Sequence, residues 1–574
     1  MTGGELIGRI LSEHGVRYIF TLCGGHISPI LTSCKGEGIR VIDVRNEATA
    51  VFAADAFSRL SGIPGVAAVT AGPGVTNAIT ALKNAQMAQS ALILLGGATA
   101  TILKGRGSLQ DIDQISIIKS TVKWHASAKR VKDIPEILSR AFFIAREGIS
   151  GPVFIELPVD LLYDEKIVRE WYGTKSGKEK SLKGKITQWY ISNHLNKLFS
   201  VPEKIKNIPI IKPEIQTHVK SDVDKSIALL KSSQRPVMIL GSQLMLNPEK
   251  IHHIIKSVES LGVPVFLSGM ARGLLGKNHP LQIRHNRKEA LRNADFILLA
   301  GVPCDFRLDY GRHLSSKAKF ISVNLSKADL LKNKKPDFAI NADPAIFLSD
   351  LARVSNGNNF SEFISQLKKS DEKRNIEIEK QSQQKTNGIN PLFLLKKLEN
   401  CIDDNSTLIA DGGDFVAASS YIIQPRKPLS WLDPGVFGTL GGGAGFALAS
   451  KLFNPSSIVW LIFGDGSLGY SLAEFDTLVR HKIPVIAVVG NDACWSQIER
   501  DQVEILKDDV GTKLLHSDYH IAAKGLGAEG ILLNDESKIE EIFLRAKQIA
   551  QSGKPVLLNA IIGKTDFRKG SISM

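Results

Sequence analysis

Short apolar runs alternate with amphipathic stretches along most of the chain. In the first part, residues 17–22, 39–44, 65–70, 91–95 and 152–157 read as strands, and 49–60 and 76–88 as helices. Runs of this kind carry no polar alternation, so they are strands buried on both faces, as in a parallel sheet covered by helices. The rhythm returns at 236–240, 264–267, 296–299 and 319–323, and again at 407–410, 458–463, 484–489 and 555–562. The pattern predicts an α/β protein of three doubly wound parallel-sheet domains. Their expected limits are 1–165, 222–353 and 388–574. A basic, Pro-punctuated connector over 166–221 carries an aromatic pair, Trp189-Tyr190, and a polar connector covers 354–387. At roughly 150 residues per domain, three units also suit the 574-residue length.

Composition adds little and excludes more. With 43% hydrophobic and 23% charged residues the chain is an ordinary globular one. Its five cysteines (Cys23, Cys34, Cys304, Cys401, Cys494) are scattered, which argues against a disulfide framework and a zinc site. The net charge of +14 is spread out, densest near 175–185 and 332–335, without interleaved aromatics. Nucleic acid is therefore not expected as a partner, and solvated surface is the first reading, an anionic substrate or membrane surface the second. No apolar run reaches the ~18 residues of a membrane span. The uncharged stretch 85–103 reads as a buried strand with turns. The N-terminus opens on a helical pattern rather than a signal peptide, so the chain as given has a soluble character or is the folded part of a longer, anchored protein.

The sharpest chemical signal follows the apolar run 458–463. It ends in Gly464-Asp465-Gly466-Ser467, and after a helical stretch the next strand ends in Gly490-Asn491-Asp492. Two polar sites thus sit at the carboxyl ends of neighbouring strands, where open α/β sheets bind ligands. Asp465 and Asn491 offer hard oxygens to a magnesium ion, and the glycines let backbone N–H groups approach phosphate. A lone Gly-Asp-Gly also suits a tight turn; the paired Asn weakens that reading. Separately, Glu47 stands between a strand and an Ala-rich helix. There it can favour a helix dipole or serve as a buried acid–base group. Ala71-Gly72-Pro73-Gly74-Val75-Thr76-Asn77 and Phe437-Gly438-Thr439-Leu440-Gly441-Gly442 are Gly-rich loops that lack the complete dinucleotide fingerprint.

Taken together these motifs resemble the thiamine diphosphate enzymes. Longer stretches, among them 20–29, 83–90, 269–276, 411–415, 470–476 and 565–568, resemble the acetolactate-synthase-like branch of 2-hydroxyacyl-CoA lyases. The resemblance spans essentially the whole chain. It implies that the first and third domains form the cofactor site across a dimer interface, in a homodimer or tetramer. Magnesium would be held by Asp465, Asn491 and the Ala493 carbonyl, thiamine diphosphate by Gly25, Glu47, Pro73, Asn77, Leu440, Gly464, Asp465, Gly466, Ser467 and Asn491. Asp492 departs from the family's second Asn, and Leu440 stands where acetolactate synthases carry Met. Glu47 would activate the thiazolium carbon, with His26 and Gln110 as candidate proton handlers; a lone His is as readily a hydrogen-bonded core residue.

The implied reaction cleaves a fatty 2-hydroxyacyl-CoA to formyl-CoA and an aldehyde one carbon shorter. Acetolactate-type condensation of 2-oxoacids and a non-catalytic cofactor-binding role are the alternatives. Pyruvate decarboxylation is disfavoured because the only His-His, His252-His253, lies in the middle domain. That domain resembles one that holds FAD or ADP, through Gly241-Ser242-Gln243, Arg272, 304–307, Asn324 and Asp343, or is a worn site kept for packing. The resemblance also places the protein at the endoplasmic reticulum membrane, through an anchor segment absent from this chain.

Overall fold

The computed structural model describes residues 2–175, 182–200, 210–211, 213–355, 357 and 359–570. Three sheets are present among them, and every strand pair is parallel. The first contains β1 (Tyr18–Thr21), β2 (Arg40–Asp43), β3 (Gly65–Val69), β4 (Leu92–Ala98), β5 (Trp124–Ser127) and β6 (Pro152–Pro158), in the order β2-β1-β3-β4-β6-β5. The second contains β7 (Pro236–Leu240), β8 (Val265–Leu267), β9 (Phe296–Ala300), β10 (Lys319–Val323) and β11 (Phe338–Ile340), in the order β11-β10-β9-β7-β8. The third contains β12 (Ser406–Asp411), β13 (Trp431–Leu432), β14 (Ile458–Gly464), β15 (Val485–Asn491), β16 (Glu529–Leu533) and β17 (Val556–Ile561), in the order β13-β12-β14-β15-β17-β16.

The apolar runs predict every central strand and, at the edges, β2 and β8. The four without a sequence signal, β5, β11, β13 and β16, all lie at sheet edges. Except for the two-residue β13 they are only partly buried, so no continuous apolar run marks them. Strand β4 runs past its expected end through Gly96 and Gly97. Side chains there would collide with the Phe154 ring and with His26, at 2.4 and 2.6 Å. The expected helix over 76–88 is two pieces, Pro73–Asn77 and Ile79–Met87.

The chain divides into two compact units. The first comprises Met1–Glu214 with Gly435–Ala449, the second Ile215–Pro434 with Ser450–Met574. The expected connectors are substantially helical, with Glu165–Lys175 and Leu182–Leu198 in one and Ser361–Ser382 in the other. Part of the basic run near 175–185, residues 176–181, lies outside the described residues; Trp189 and Tyr190 are exposed. The polar connector is pinned by its buried Asp371, whose Oδ1 accepts from the backbone N–H groups of Arg284 and His285 at 3.1 and 2.6 Å. His252 and His253 lie on the exposed face of the helix Ile251–Leu261, and all five cysteines are free thiols. Among the described residues no helix is long and apolar enough to cross a membrane.

Candidate active site

In the first unit, Asn46 ends the turn after β2 in extended backbone. Its Oδ1 accepts from the Ala48 N–H at 2.8 Å, capping the helix Glu47–Ser61. Glu47 is thus the first helical residue, and it is only 6% exposed. Alanine enrichment (48, 50, 53, 54, 56) lets this helix lie close on the sheet: a side chain at Gly65 would fall 1.9 Å from the Ala54 carbonyl.

The Ala71–Gly74 turn follows β3. Gly72, at φ +63°, caps the helical turn Pro73–Asn77, and Asn77 Nδ2 donates to Glu47 Oε2 at 3.0 Å. A side chain at Gly74 would come within 3.6 Å of Glu47 Oε1, so the backbone of this turn lies against the carboxylate. Pro73 and Asn77 face solvent.

His26 is half-buried beside the end of β3, with Nδ1 3.2 Å from Thr70 Oγ1. Burial lowers its pKa, favouring the neutral ring. Gln110 adopts φ +63° and its backbone closes over Gly72. Gly25 is exposed and its carbonyl accepts from the Tyr163 hydroxyl at 3.1 Å.

The loop carrying Leu440 also belongs to this unit. Gly438 and Gly441 take positive φ around it, and the following helix seats on the Glu47 helix. Gly445 allows the contact, since a Cβ would lie 2.8 Å from the Thr49 carbonyl, and Phe446 meets Phe52 edge-on at 6.0 Å. Leu440 is half-buried.

In the second unit, β14 and β15 run in register to Gly464↔Gly490, setting Asp465 and Asn491 just past the same level of adjacent strands. Asp465 opens a short helix and is 3% exposed. Its Oδ1 accepts from the Gly466 N–H at 2.8 Å, but its buried Oδ2 has no hydrogen-bond partner. Burial, reinforced by Asp492, pushes its pKa up to about 7; backbone N–H groups of Gly466, Ala493 and Cys494 oppose this only in part. A buried carboxylate with an unpaired oxygen is costly by itself and is the donor that a hard cation requires.

Asn491 is fully buried. Its Nδ2 donates to Asn559 Oδ1 at 3.1 Å and to the Ser517 carbonyl at 3.3 Å, leaving Oδ1 to face the exposed His516, whose Nδ1 is 3.3 Å away. The amide orientation is therefore set by its acceptors, and the oxygen is the end turned to His516. Ala493 takes φ +55°, unusual for a side chain with a Cβ; its carbonyl accepts from Leu514 N–H at 2.8 Å and retains a second lone pair. Local strain of this kind re-aims a backbone oxygen. The oxygen donor set fits a magnesium ion.

Close backbone approach holds this turn. Ser467 Oγ donates to the Asp411 carbonyl at 2.6 Å, and Gly412, at φ +142°, leaves room for the Gly464 N–H. Side chains at Gly466 and Gly490 would strike the Trp495 and Phe415 rings at 2.4 and 2.5 Å. Sequence patterns gave no sign of Asn559, His516 or Trp495 here.

The second unit also contains a cavity of about 520 Å³ lined by Arg272, Arg284, Arg287, Lys288 and Arg374 and by no carboxylate. Burial lowers Arg284 to about 10, despite Glu399 and Asp371; Arg287 is lowered by burial and then by Arg272 and Arg307. Arg272 and Arg284 donate to carbonyls at the end of the helix Asp414–Ile422. Such a cluster suits a polyanion. At the ends of the second sheet, Gln243 Nε2 donates to Asn324 Oδ1 at 2.9 Å, so those two expected nucleotide residues are brought together, while Asn324 Nδ2 is buried without a partner. Arg307 is paired with Asp305, and Asp343 caps the helix Pro344–Arg353.

Comparison with known proteins gives three family matches in chain order. Residues 1–117 match the N-terminal TPP binding domain of thiamine pyrophosphate enzymes, 223–351 their central domain and 411–560 their C-terminal TPP binding domain. The chain is 50% identical to 2-hydroxyacyl-CoA lyase 2 of Danio rerio, over all of this chain and 93% of that protein. It is 49% identical to 2-hydroxyacyl-CoA lyase 2 of Homo sapiens, over all of this chain and 92% of that protein. Acetolactate synthase large subunit IlvG of Mycobacterium tuberculosis is 31% identical, over 98% of this chain and 96% of its own.

Proposed function

Because this chain belongs to the thiamine pyrophosphate enzymes and is a thiamine diphosphate-dependent lyase, we propose that it cleaves 2-hydroxyacyl-CoA, fatty substrates included, to formyl-CoA and an aldehyde one carbon shorter. The observation that carries the reading is the pair of oxygens at the ends of β14 and β15: the unpaired Asp465 Oδ2 and the Asn491 Oδ1, which an Nδ2 tied to Asn559 and Ser517 turns toward His516. With the Ala493 carbonyl they would hold magnesium, and Gly464, Gly466 and Ser467 would meet the diphosphate.

Thiamine diphosphate, when bound, supplies a carbon nucleophile and an electron sink for carbon–carbon cleavage. The protein's part is to hold protons and exclude water. Glu47, buried and fixed by Asn77, would be the group that holds a proton for the bound cofactor's pyrimidine ring. His26, beside Thr70 and kept toward the neutral form by burial, would accept a proton from the substrate hydroxyl, and Gln110 would donate a hydrogen bond to the substrate. The arginine-lined cavity supports the CoA part of the reading, since it offers paired cations to phosphates; FAD or ADP in the central domain is the other polyanion of the same chemistry. Assembly as a homodimer or tetramer and residence at the endoplasmic reticulum membrane belong to this proposal, tested by light scattering and by cell fractionation.

Purified protein with thiamine diphosphate and magnesium, offered 2-hydroxyacyl-CoA or pyruvate, decides the reaction. Formyl-CoA with aldehyde is the expected product; acetolactate from pyruvate, with formyl-CoA absent, would replace the proposal with the condensation chemistry named for the mycobacterial relative.

A further inference from the structure

Gln114 begins a short helix in the first unit and is 2% exposed. Its Oε1 accepts from the Gly72 N–H at 2.9 Å, while its Nε2 donates to the Gly97 carbonyl at 3.1 Å and to Glu156 Oε1 at 3.2 Å. Glu156 is itself buried. Its Oε2 accepts from Lys104 Nζ at 2.8 Å and Ser127 Oγ at 2.7 Å. Burial works to raise the Glu156 pKa, but the hydrogen bonds from Lys104, Ser127 and Gln114 outweigh it and hold the group ionised. A carboxylate accepts and never donates, so Gln114 has to turn its NH₂ toward Glu156. Its carbonyl is thereby committed to Gly72.

Gly72 is the cap of the helical turn whose last residue, Asn77, holds Glu47 Oε2. The backbone of Gln110 lies on the other side of the same glycine: a Cβ at Gly72 would be 3.0 Å from the Gln110 carbonyl oxygen. We infer that Gln114, oriented by Glu156, is a positioning residue that sets the Glu47 carboxylate through the Gly72–Asn77 turn and seats the Gln110 loop against it. The functional half of this inference rests on the role proposed for Glu47; the mechanical half does not.

Hydrogen–deuterium exchange of the peptide spanning 71–77, in protein without added cofactor, tests the mechanical half. Gln114→Leu removes the acceptor. Glu156→Gln is isosteric and lets the Gln114 amide flip, which guards against a variant that fails to fold. In both, exchange at Gly72 is expected to rise about tenfold, the loss of roughly one buried hydrogen bond. Unchanged exchange in both overturns the clamp whatever Glu47 does.

Turnover tests the other half. In Gln114→Leu, kcat is expected to fall about 10- to 100-fold with KM for 2-hydroxyacyl-CoA within about twofold, the signature of a misplaced group rather than lost binding. Asn77→Ala should behave alike, and the double variant should lose no more than the worse single, because both act on one carboxylate. Multiplicative losses, or an unchanged kcat, overturn the positioning role. Near-normal turnover in Glu47→Gln would instead sink the reading of Glu47, leaving the exchange result to stand alone.

Discussion

Glu47 in the first unit and Asp465 in the second occupy the same kind of place. Each is a nearly buried carboxylate on the first residue of a helix that follows a parallel strand. Their surroundings diverge. Glu47 has a side-chain partner in Asn77, itself held at the far end of a clamped turn. Asp465 has one oxygen tied to Gly466 N–H and the other left bare, next to a second carboxylate on Asp492. The helix start alone does not decide the chemistry of either. A carboxylate given a side-chain amide partner is fixed in place; one crowded by another acid and left unpaired calls for a positive partner, a proton or a cation.

Removing each carboxylate in turn should separate these roles most sharply. Glu47→Gln is expected to lower turnover about 10³-fold while thiamine diphosphate still binds, read by steady-state kinetics and calorimetry. Asp465→Ala should weaken magnesium-dependent cofactor binding about 100-fold, and equal affinity with and without the carboxylate would dissolve the contrast. Asp465→Asn carries the opposite signs for stability and binding. It relieves a buried, unpaired anion, so the metal-free protein should gain about 1 kcal/mol in denaturant melts even as magnesium dependence is lost.

Packing gives a smaller effect. Gly466→Ala drives a methyl into the Trp495 ring and should cost about 2 kcal/mol. Gly413→Ala, whose new methyl would have Gln497 Oε1 as its nearest neighbour at 3.6 Å, should cost less.

The smallest difference concerns acid. His14, stacked on Phe142 at 4.0 Å, is lowered from 6.5 to about 4 by burial and Arg146. A histidine kept neutral when folded binds fewer protons than when unfolded. Its contribution is therefore full above pH 6.5 and fades as pH falls toward 4. In the second unit, Glu499 is held at about 2 by Lys513 and Lys564 against its burial, so its contribution fades only as pH falls from 4.5 toward 2. Acid should loosen the packing around His14 earlier than the ion pairs of Glu499, and His14→Phe should flatten that early slope in hydrogen exchange at the first helix.

How far the sequence went follows burial. Central strands were legible because both their faces are covered; of the edge strands only β2 and β8 carried a run that showed them. Asp465 and Asn491 were legible because each ends an apolar run, so their place at a strand end is written locally. Glu47 was legible from a strand–helix junction together with the family likeness. Leu440 is different: its motif is local, but the residues after it that pack on the Glu47 helix, Gly442, Gly445 and Phe446, meet a segment far away in sequence. Gln114, Asn559 and Trp495 have no periodicity to betray them, since their roles come from single contacts across the fold.

The alignment of Gly464 with Gly490 limits how this chain can vary. Strand residues advance about 3.3 Å each and alternate faces. Deleting one residue from β15 would draw Asn491 back by that step and turn it to the opposite side of the sheet, while Asp465 stayed put. Loops elsewhere can lengthen at little cost, but these two strands tolerate only changes in matched pairs. In a deletion scan they should stand out as a narrow intolerant band within a fold otherwise forgiving of length.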